Sequence, residues 1–398
     1  MMDTLRHCFT LGLGYPVHFT AGCLDASNTC LRDVVASTGE RLPAKIAFIV
    51  DHGLLEGRPD LAAEVQRYCR HHEDVLRLMA PVQEVPGGER VKNEWRYILD
   101  ILRIIHDAAL CRHSYIVAIG GGAVLDAVGF GAAMAHRGVR LIRMPTTVLS
   151  QDDSALGVKN GINAFGKKNY LGTFAAPFAV INDAGFLPTL SDRDWRAGMS
   201  EAIKAALIRD AGFFAFLEAH APQLRQRDMR VMEEVVYRSA ALHYAHIATG
   251  GDPFELGSSR PLDYGHWAAH KLEALTDYQL RHGEAVGIGI ALDTTYAHLS
   301  GFLPEADWRR VMNVLTAVGL AVYAPELSAH LDNDSDPRSV LRGLIEFQEH
   351  LGGELTVMLL RGIGQAFDVH RIDRDVMIRS IEVLRTHATS AALSPAQP

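Results

Sequence analysis

The sequence has no CxxC pair, no basic run and no long apolar run, and each absence removes a class of protein. Its five cysteines, Cys8, Cys23, Cys30, Cys69 and Cys111, are odd in number and lie in the first third of the chain. That pattern argues against a disulfide framework or a thiolate zinc site, so the thiols are expected to be buried. Any metal must look to histidine and carboxylate. Lys plus Arg number 39 against 47 Asp plus Glu, a formal charge of -8, and no cationic cluster offers a footprint for a phosphate backbone. A nucleic-acid partner is therefore not expected. The apolar runs KIAFIV and YIVAI fall well short of the roughly 18 residues a membrane span needs. The opening MMDTLRHCFTLGLGYP has too short an apolar stretch and no secretory cleavage pattern, so a soluble cytoplasmic location is expected.

What is present is the material of a well-packed chain. At 398 residues it exceeds the size at which one core usually stops growing, about 250 to 300, so two domains are expected. With 48% hydrophobic and 22% charged residues it should be globular. The first half alternates short apolar runs with amphipathic stretches: KIAFIV ending at Asp51, a helical pattern from Asn93 to His106, then YIVAIGGG, RLIRMPTT and FAVIND. Strands alternating with helices predict a parallel α/β sheet covered on both faces. From Ser191 the texture changes to long helical patterns, and Ser191 with Asp194 resembles a capping box, which places the boundary near Thr189. The expected domains are 1–189 and 190–398, the second mainly helical. DNDSDP, 332–337, reads as a surface loop, and THATSAALSPAQP as a frayed tail. There is no internal repeat.

Three clusters carry chemistry. In YIVAIGGGAVLDAVGF an apolar strand runs through Gly120, Gly121 and Gly122 into a helix holding Asp126, so backbone N–H groups and a helix N-terminus can approach a pyrophosphate. GGGxxxD departs from GxGxxG, and a plain tight turn gives the same letters. Asp51, at the end of an earlier strand, can take ribose hydroxyls, and PGGERVKN adds a glycine turn with Glu89 and Lys92. The second cluster, MPTTVLSQDDSALGVKNGINAFGKKNYLG, brings Thr146, Thr147, Asp153, Lys159, Lys168 and Asn169 into a segment too rich in Gly and Asn for a regular helix. Lysines among glycines suit a clamp on phosphate, although a solvated polar loop has the same composition. The third joins Glu201 and Lys204 in RAGMSEAIKAAL to His266 in RPLDYGHWAAH and His282 in RHGEAVGIGIALD. Glu with two His is a recurrent set for an open catalytic zinc site. Asp263, His266 and His270 follow at steps that stack on one helix face, just after Arg260 and a proline.

The ordered series GGGxxxD, HRG, PTT, DSxxGVKxGxN, GKKNxLGxF, RAGMSEAIK, DYGHxxxH and HGEAV resembles the dehydroquinate-synthase-like sugar phosphate cyclases, over a stretch from Asp51 to about His370. The resemblance implies an α/β N-terminal Rossmann-like domain that binds NAD, a mainly α-helical C-terminal domain, a divalent metal (zinc or cobalt) on Glu201, His266 and His282, and a homodimer. It implies NAD contacts at Asp51, Glu89, Lys92, Gly121, Gly122, Asp126, Thr146, Thr147, Lys168 and Thr189. It places Asp153, Lys159, Lys168, Asn169, Lys204 and His270 around a sugar phosphate. Arg137 would reach that phosphate from the other protomer, Asp263 and His270 would face the phosphate end of the substrate, and Arg260 would touch its polar groups. The chemistry needs both groups. Oxidising an alcohol to a ketone makes the neighbouring C–H enolisable, phosphate can then leave, and after hydride return the opened chain closes a carbocycle by aldol addition.

The sequence departs from dehydroquinate synthase at the substrate. Asp263 replaces an asparagine, the arginine lies one residue nearer the metal histidine, and lysines are missing near His246 and in EFQEHLGGELTVMLL. Lost lysines and a gained carboxylate weaken a site for a sugar acid. RPLDYGH and EHLGGELT instead resemble the cyclases of sedoheptulose 7-phosphate, although His270 stands where several of those carry proline. A seven-carbon ketose phosphate is the expected substrate. The alternatives are 3-dehydroquinate synthase proper, an NAD-dependent polyol or glycerol phosphate dehydrogenase, which shares fold and GGGxxxD, and an idle scaffold.

Overall fold

A computed structural model describes residues 4–8, 12–165, 167–250, 254 and 261–393. Arg260 lies outside the described residues. The chain forms two compact units, one of residues 1–144 with 158–182, the other of 145–157 with 183–398.

In the first unit, β1 (Val17–Thr20) leads through α1 (Cys30–Ala36) to β2 (Ala44–Asp51), α2 (His52–Gly57), α3 (Leu61–His71), β3 (Leu76–Leu78) and β4 (Gln83–Val85). Then come α4 (Arg90–Asn93), α5 (Trp95–Asp107), β5 (Tyr115–Gly120), α6 (Gly122–Met134), β6 (Arg140–Pro145), a hairpin of β7 (Lys159–Ala164) and β8 (Lys167–Phe174), and β9 (Ala179–Asp183). The main sheet runs β1-β9-β6-β5-β2-β3, and β4 also pairs with β2. β2 is parallel to β3, β4 and β5, and β6 is parallel to β9. Residues 46–50 of β2 and the whole of β5 are buried, the continuous apolar pattern of strands covered on both faces. α6 packs on β5 and β2, and α5 packs on α6, turning inward its buried Ile98, Ile101 and Ile105, spaced at three and four. The segment judged too rich in Gly and Asn for a helix is the antiparallel β7–β8 hairpin.

The second unit is mainly helical, as expected. It contains α7 (Asp192–Arg209), α8 (Ala211–Arg225), α9 (Met229–Thr249), α10 (His266–Leu275), α11 (His282–Leu299), α12 (Glu305–Ala317), α13 (Arg342–Leu351), a hairpin of β10 (Val357–Gly362) and β11 (Gln365–Val369), and α14 (Arg374–Leu393). Ser191 caps α7 by accepting from the Asp194 N–H. Trp195, Met199, Ile203 and Leu207 of α7 enter a core with Phe213, Phe214 and Leu217 of α8. Residues 285–297 of α11 are all buried, so this helix forms the axis of the unit. Two sequence expectations are corrected. The segment read as a frayed tail continues as α14 to Leu393, held by buried Met377, Ile381 and Leu384 at the root of the helix. Asp263 is not on the helix of His266 and His270: it ends a 3-10 turn, Pro261–Asp263, and the chain reverses at Gly265 before α10 begins.

Candidate active site

Three helices of the second unit bring Glu201, His266 and His282 together. Glu201 projects from the middle of α7, His266 opens α10 and His282 opens α11. Nε2 of His266 lies 3.6 Å from Oε1 of Glu201, and Nε2 of His282 lies 3.7 Å from the same oxygen. These separations are too long for hydrogen bonds. Donors bound tetrahedrally to one cation at about 2.0–2.2 Å lie roughly 3.3–3.6 Å apart, so the spacing suits a shared divalent ion. The far nitrogens are already committed. Nδ1 of His266 donates to the Tyr264 carbonyl (3.1 Å) and Nδ1 of His282 to the Glu273 carboxylate (3.0 Å). That leaves each Nε2 lone pair facing Glu201, the arrangement in which outer partners orient metal-binding imidazoles. Oε1 of Glu201 is buried without a hydrogen bond. Lys204, one turn on, lies against Oε2 as an ion pair.

The electrostatics agree with a cation site. Burial, followed by the charges of Lys204 and His282, pushes the His266 imidazole well below its usual range, so the ring is neutral and able to ligate. Burial raises the Glu201 carboxyl more than Lys204 lowers it. Burial also opposes the Lys204 ammonium, but Glu201 and Asp153 outweigh it and hold lysine firmly protonated. Asp153 stands on the π-helical turn Ser150–Ser154, where Nδ1 of His243 from α9 approaches it to 2.7 Å. His243 and Lys204 overcome its burial and keep it ionised. Beside it Asp152 is fully buried, neither carboxylate oxygen has a partner, and burial with the charges of Asp153 and Glu201 raises its carboxyl far above the usual range. His270 sits exposed over the trio, its ring 5.5 Å from that of His266 and stacked 5.9 Å from that of His282. Asp263 is near enough to support the charge of Lys204.

Sequence reading missed four of these residues. Glu273 continues the stripe of His266 and His270, so its spacing was available. Asp152 was visible as one half of an acidic doublet. His243 and Asp293, which braces the turn before His266, carry no local signal. His246, near which a lysine is missing, has its Nδ1 2.7 Å from the Arg209 guanidinium.

In the first unit, Asp51 and the Gly120–Gly122 turn lie at the C-terminal ends of the adjacent parallel strands β2 and β5. Asp51 closes β2 beside the end of β5, accepting from the Gly53 N–H, and burial raises its carboxyl. A Cβ on Gly87 would meet the Asp51 carboxylate at 2.6 Å, and one on Gly120 would meet Val124 at 2.9 Å. α6 starts behind Gly121 with no side-chain cap and no acid in its first turn. A close-packed glycine turn ahead of an uncapped helix N-terminus fits a phosphate-linked dinucleotide. Lys92, nearly buried, bridges Asp126 (2.7 Å) and Asn169 (2.5 Å), so these three form one linked cluster. Lys168 pairs with Glu89 at 3.6 Å, and Asn163 ties Glu89 to Asn93. Lys159 begins β7 with an exposed side chain, and Arg137 is exposed at a turn after α6 with φ +63. Thr146 is buried, Thr147 bonds to Ser150 (2.8 Å), and exposed Thr189 donates to the Phe186 carbonyl (2.6 Å); all three belong to the second unit.

Comparison with known proteins agrees with this geometry. Residues 82–197 match the model of the 3-dehydroquinate synthase N-terminal domain, and 198–335 that of the C-terminal domain. The chain is 36% identical over 301 residues to a 3-dehydroquinate synthase of Ruegeria pomeroyi, a stretch covering 75% of this chain and 80% of the relative. Among solved structures it is similar to a 2-epi-5-epi-valiolone synthase of Streptomyces hygroscopicus subsp. jinggangensis with NAD+ and Zn2+ bound (TM-score 0.84, 26% identity, covering 96% of this chain and 100% of that one). A 2-deoxy-scyllo-inosose synthase complexed with carbaglucose-6-phosphate, NAD+ and Co2+ shares the fold (TM-score 0.72, 23% identity, 93% and 96% covered).

Proposed function

The chain belongs to the 3-dehydroquinate synthase family of lyase-type sugar phosphate cyclases, and on that premise we propose that it is an NAD- and divalent-metal-dependent cyclase of a seven-carbon ketose phosphate such as sedoheptulose 7-phosphate. The observation that carries this reading is the convergence of Glu201, His266 and His282, with two imidazole Nε2 atoms and Oε1 of a buried carboxylate facing one point. NAD would supply reversible oxidation of the substrate alcohol, and zinc or cobalt would supply Lewis acidity there. Lys204, kept protonated by Glu201 and Asp153, places a fixed positive charge where negative charge develops on the substrate. Asp153 and His270 border the same point and would orient substrate hydroxyls. Residues 1–189 would hold the nucleotide through Asp51, Glu89, Lys92, Gly121, Gly122, Asp126, Thr146, Thr147, Lys168 and Thr189. Lys159, Asn169 and Arg137 would serve the phosphate, Arg137 from the partner protomer.

Asp263 supports the choice of substrate. A carboxylate fixed about 4 Å from a substrate carboxylate costs on the order of 4 kcal/mol at an effective dielectric of about 20, enough to discriminate against a sugar acid. The second reading, 3-dehydroquinate synthase proper, is favoured by the relatives that bear that name. Phosphate release measured with sedoheptulose 7-phosphate and with the seven-carbon acid used by dehydroquinate synthase, each with added NAD and cobalt, separates the two. Release with the ketose alone supports the proposal, and release with the acid alone overturns it. A homodimer is supported by the β7–β8 hairpin, which exposes Phe165 (87%), Tyr170 (53%) and Phe174 (55%) together. None of the five cysteines forms a disulfide, which suits a reducing compartment; Cys23 and Cys69 are buried, whereas Cys8 and Cys111 are exposed, against the expectation of buried thiols. Among the described residues no helix is long and apolar enough to cross a membrane.

A further inference from the structure

Helix α11 carries His282 on its first turn, and three turns later its buried face grips the turn from which His266 springs. Asp293 accepts from the Gly265 backbone N–H at 2.9 Å and from Nε1–H of Trp267 at 2.8 Å. Those residues flank His266 on either side. Next to Asp293, Thr294 meets the Tyr264 hydroxyl at 2.6 Å. The backbones touch as well. A Cβ on Gly289 would lie 1.9 Å from the Gly265 carbonyl oxygen, and Gly265 itself has φ +78, a conformation that a side chain strains. The Tyr264 carbonyl inside this turn in turn accepts from Nδ1 of His266. Asp293 is fully buried, with one oxygen turned to each of these donors.

We propose that Asp293 is a positioning residue for the cation site, holding Nε2 of His266 in register with Glu201 and His282 by fixing the turn before α10. The inference rests on reading that trio as the cation site. The need for a carboxylate follows from the donors. Two N–H groups of fixed direction require two acceptor oxygens, asparagine supplies one and sets an NH2 against the other donor, and alanine strands both. Metal–ligand distances tolerate only about 0.2 Å of error, so a small shift of the turn reaches the ion.

The test uses full-length, metal-free protein titrated with Co2+, read by calorimetry and by the visible absorption of the bound ion. Asp293→Ala should weaken Co2+ binding about 10- to 100-fold, as loss of an outer partner does elsewhere, and alter the absorption band. Asp293→Asn should fall between it and the parent, and it decides the matter if the alanine variant does not fold. Thr295→Val is the control. It removes a buried hydroxyl two residues along α11 that bonds to Ala291 and Trp308, away from the His266 turn, and should lower stability while leaving Co2+ affinity and band unchanged. Parental affinity and band in folded Asp293→Asn and Asp293→Ala overturn the inference. So does an equal loss of affinity in Thr295→Val, which would mean general loosening. If the parent protein takes up no Co2+, the cation site itself fails, and the positioning role with it.

Discussion

Truncating Glu201 should do more than remove a ligand, because it strands a buried ammonium. Glu201 and Lys204 are 1% and 3% exposed and lie against each other one turn apart on α7. Breaking a buried ion pair from one side costs about 3–5 kcal/mol, because the remaining charge has lost both water and partner. Asp153 still supports Lys204, which places the expected loss for Glu201→Ala at the lower end, about 3 kcal/mol. For a unit of this size that lowers the melting temperature by about 6 to 12 °C. Glu201→Ala combined with Lys204→Met removes both charges, and an apolar pair in place of a buried ion pair is neutral or stabilising. The double variant should therefore recover about 1–2 kcal/mol of that loss, the remainder reflecting the cavity left at position 201 and the counter-charge withdrawn from Asp153. Urea titration of chelator-treated protein, followed by circular dichroism, reads both numbers, and Co2+ uptake should be abolished in both variants. A single variant that loses less than about 1 kcal/mol, or a double variant no more stable than the single, would refute the pairing of these charges.

Asp152→Val should stabilise the protein by about 1–3 kcal/mol, since it removes a buried acid with no hydrogen-bond partner and keeps the volume; a lower melting temperature would mean that the carboxyl is bound to something. Asp263→Asn should raise phosphate release from the seven-carbon acid relative to the ketose phosphate, and an unchanged ratio of kcat/KM would remove Asp263 from the argument about substrate. At the surface, Arg140, with help from His113, draws the Glu40 carboxyl down to about 2. The folded value lies below the unfolded one, so its stabilisation is full above the ordinary carboxylate range and is lost as pH falls toward about 2. Glu40→Gln should flatten that part of the acid limb in stepped-pH urea titrations, and an unaltered limb would exclude the pair from acid stability.

The parts of this architecture that local pattern dictates were legible in the sequence. KIAFIV, YIVAI, RLIRMP and FAVIND became β2, β5, β6 and β9 because continuous apolar runs between turn signals have few other ways to be buried. Ser191 announced α7 through its own hydroxyl. The hairpin of Lys159 to Phe174 was seen only as something other than a helix, because its register depends on pairing across the turn. Asp263 was misplaced onto the following helix because residue spacing alone does not show that Gly265 reverses the chain. The convergence of α7, α10 and α11 on one point depends on packing between segments up to 81 residues apart, counted from Glu201 to His282. Spacing supplied the residue types, and only the resemblance joined them. His243 and Asp293 act through partners 90 and 28 residues distant, Asp153 and Gly265, so no window of sequence holds the pair.

The short outer strands of the main sheet have a consequence for where this protein can take up a further strand. One border is the four-residue β1, and the other is divided between β3 and β4, three residues each, on successive parts of β2. A stray extended peptide would find too few free backbone groups in a row to add itself as a further strand. Strand addition to the intact protein is therefore directed away from the main sheet, to the eight-residue, mostly exposed β8 of the hairpin.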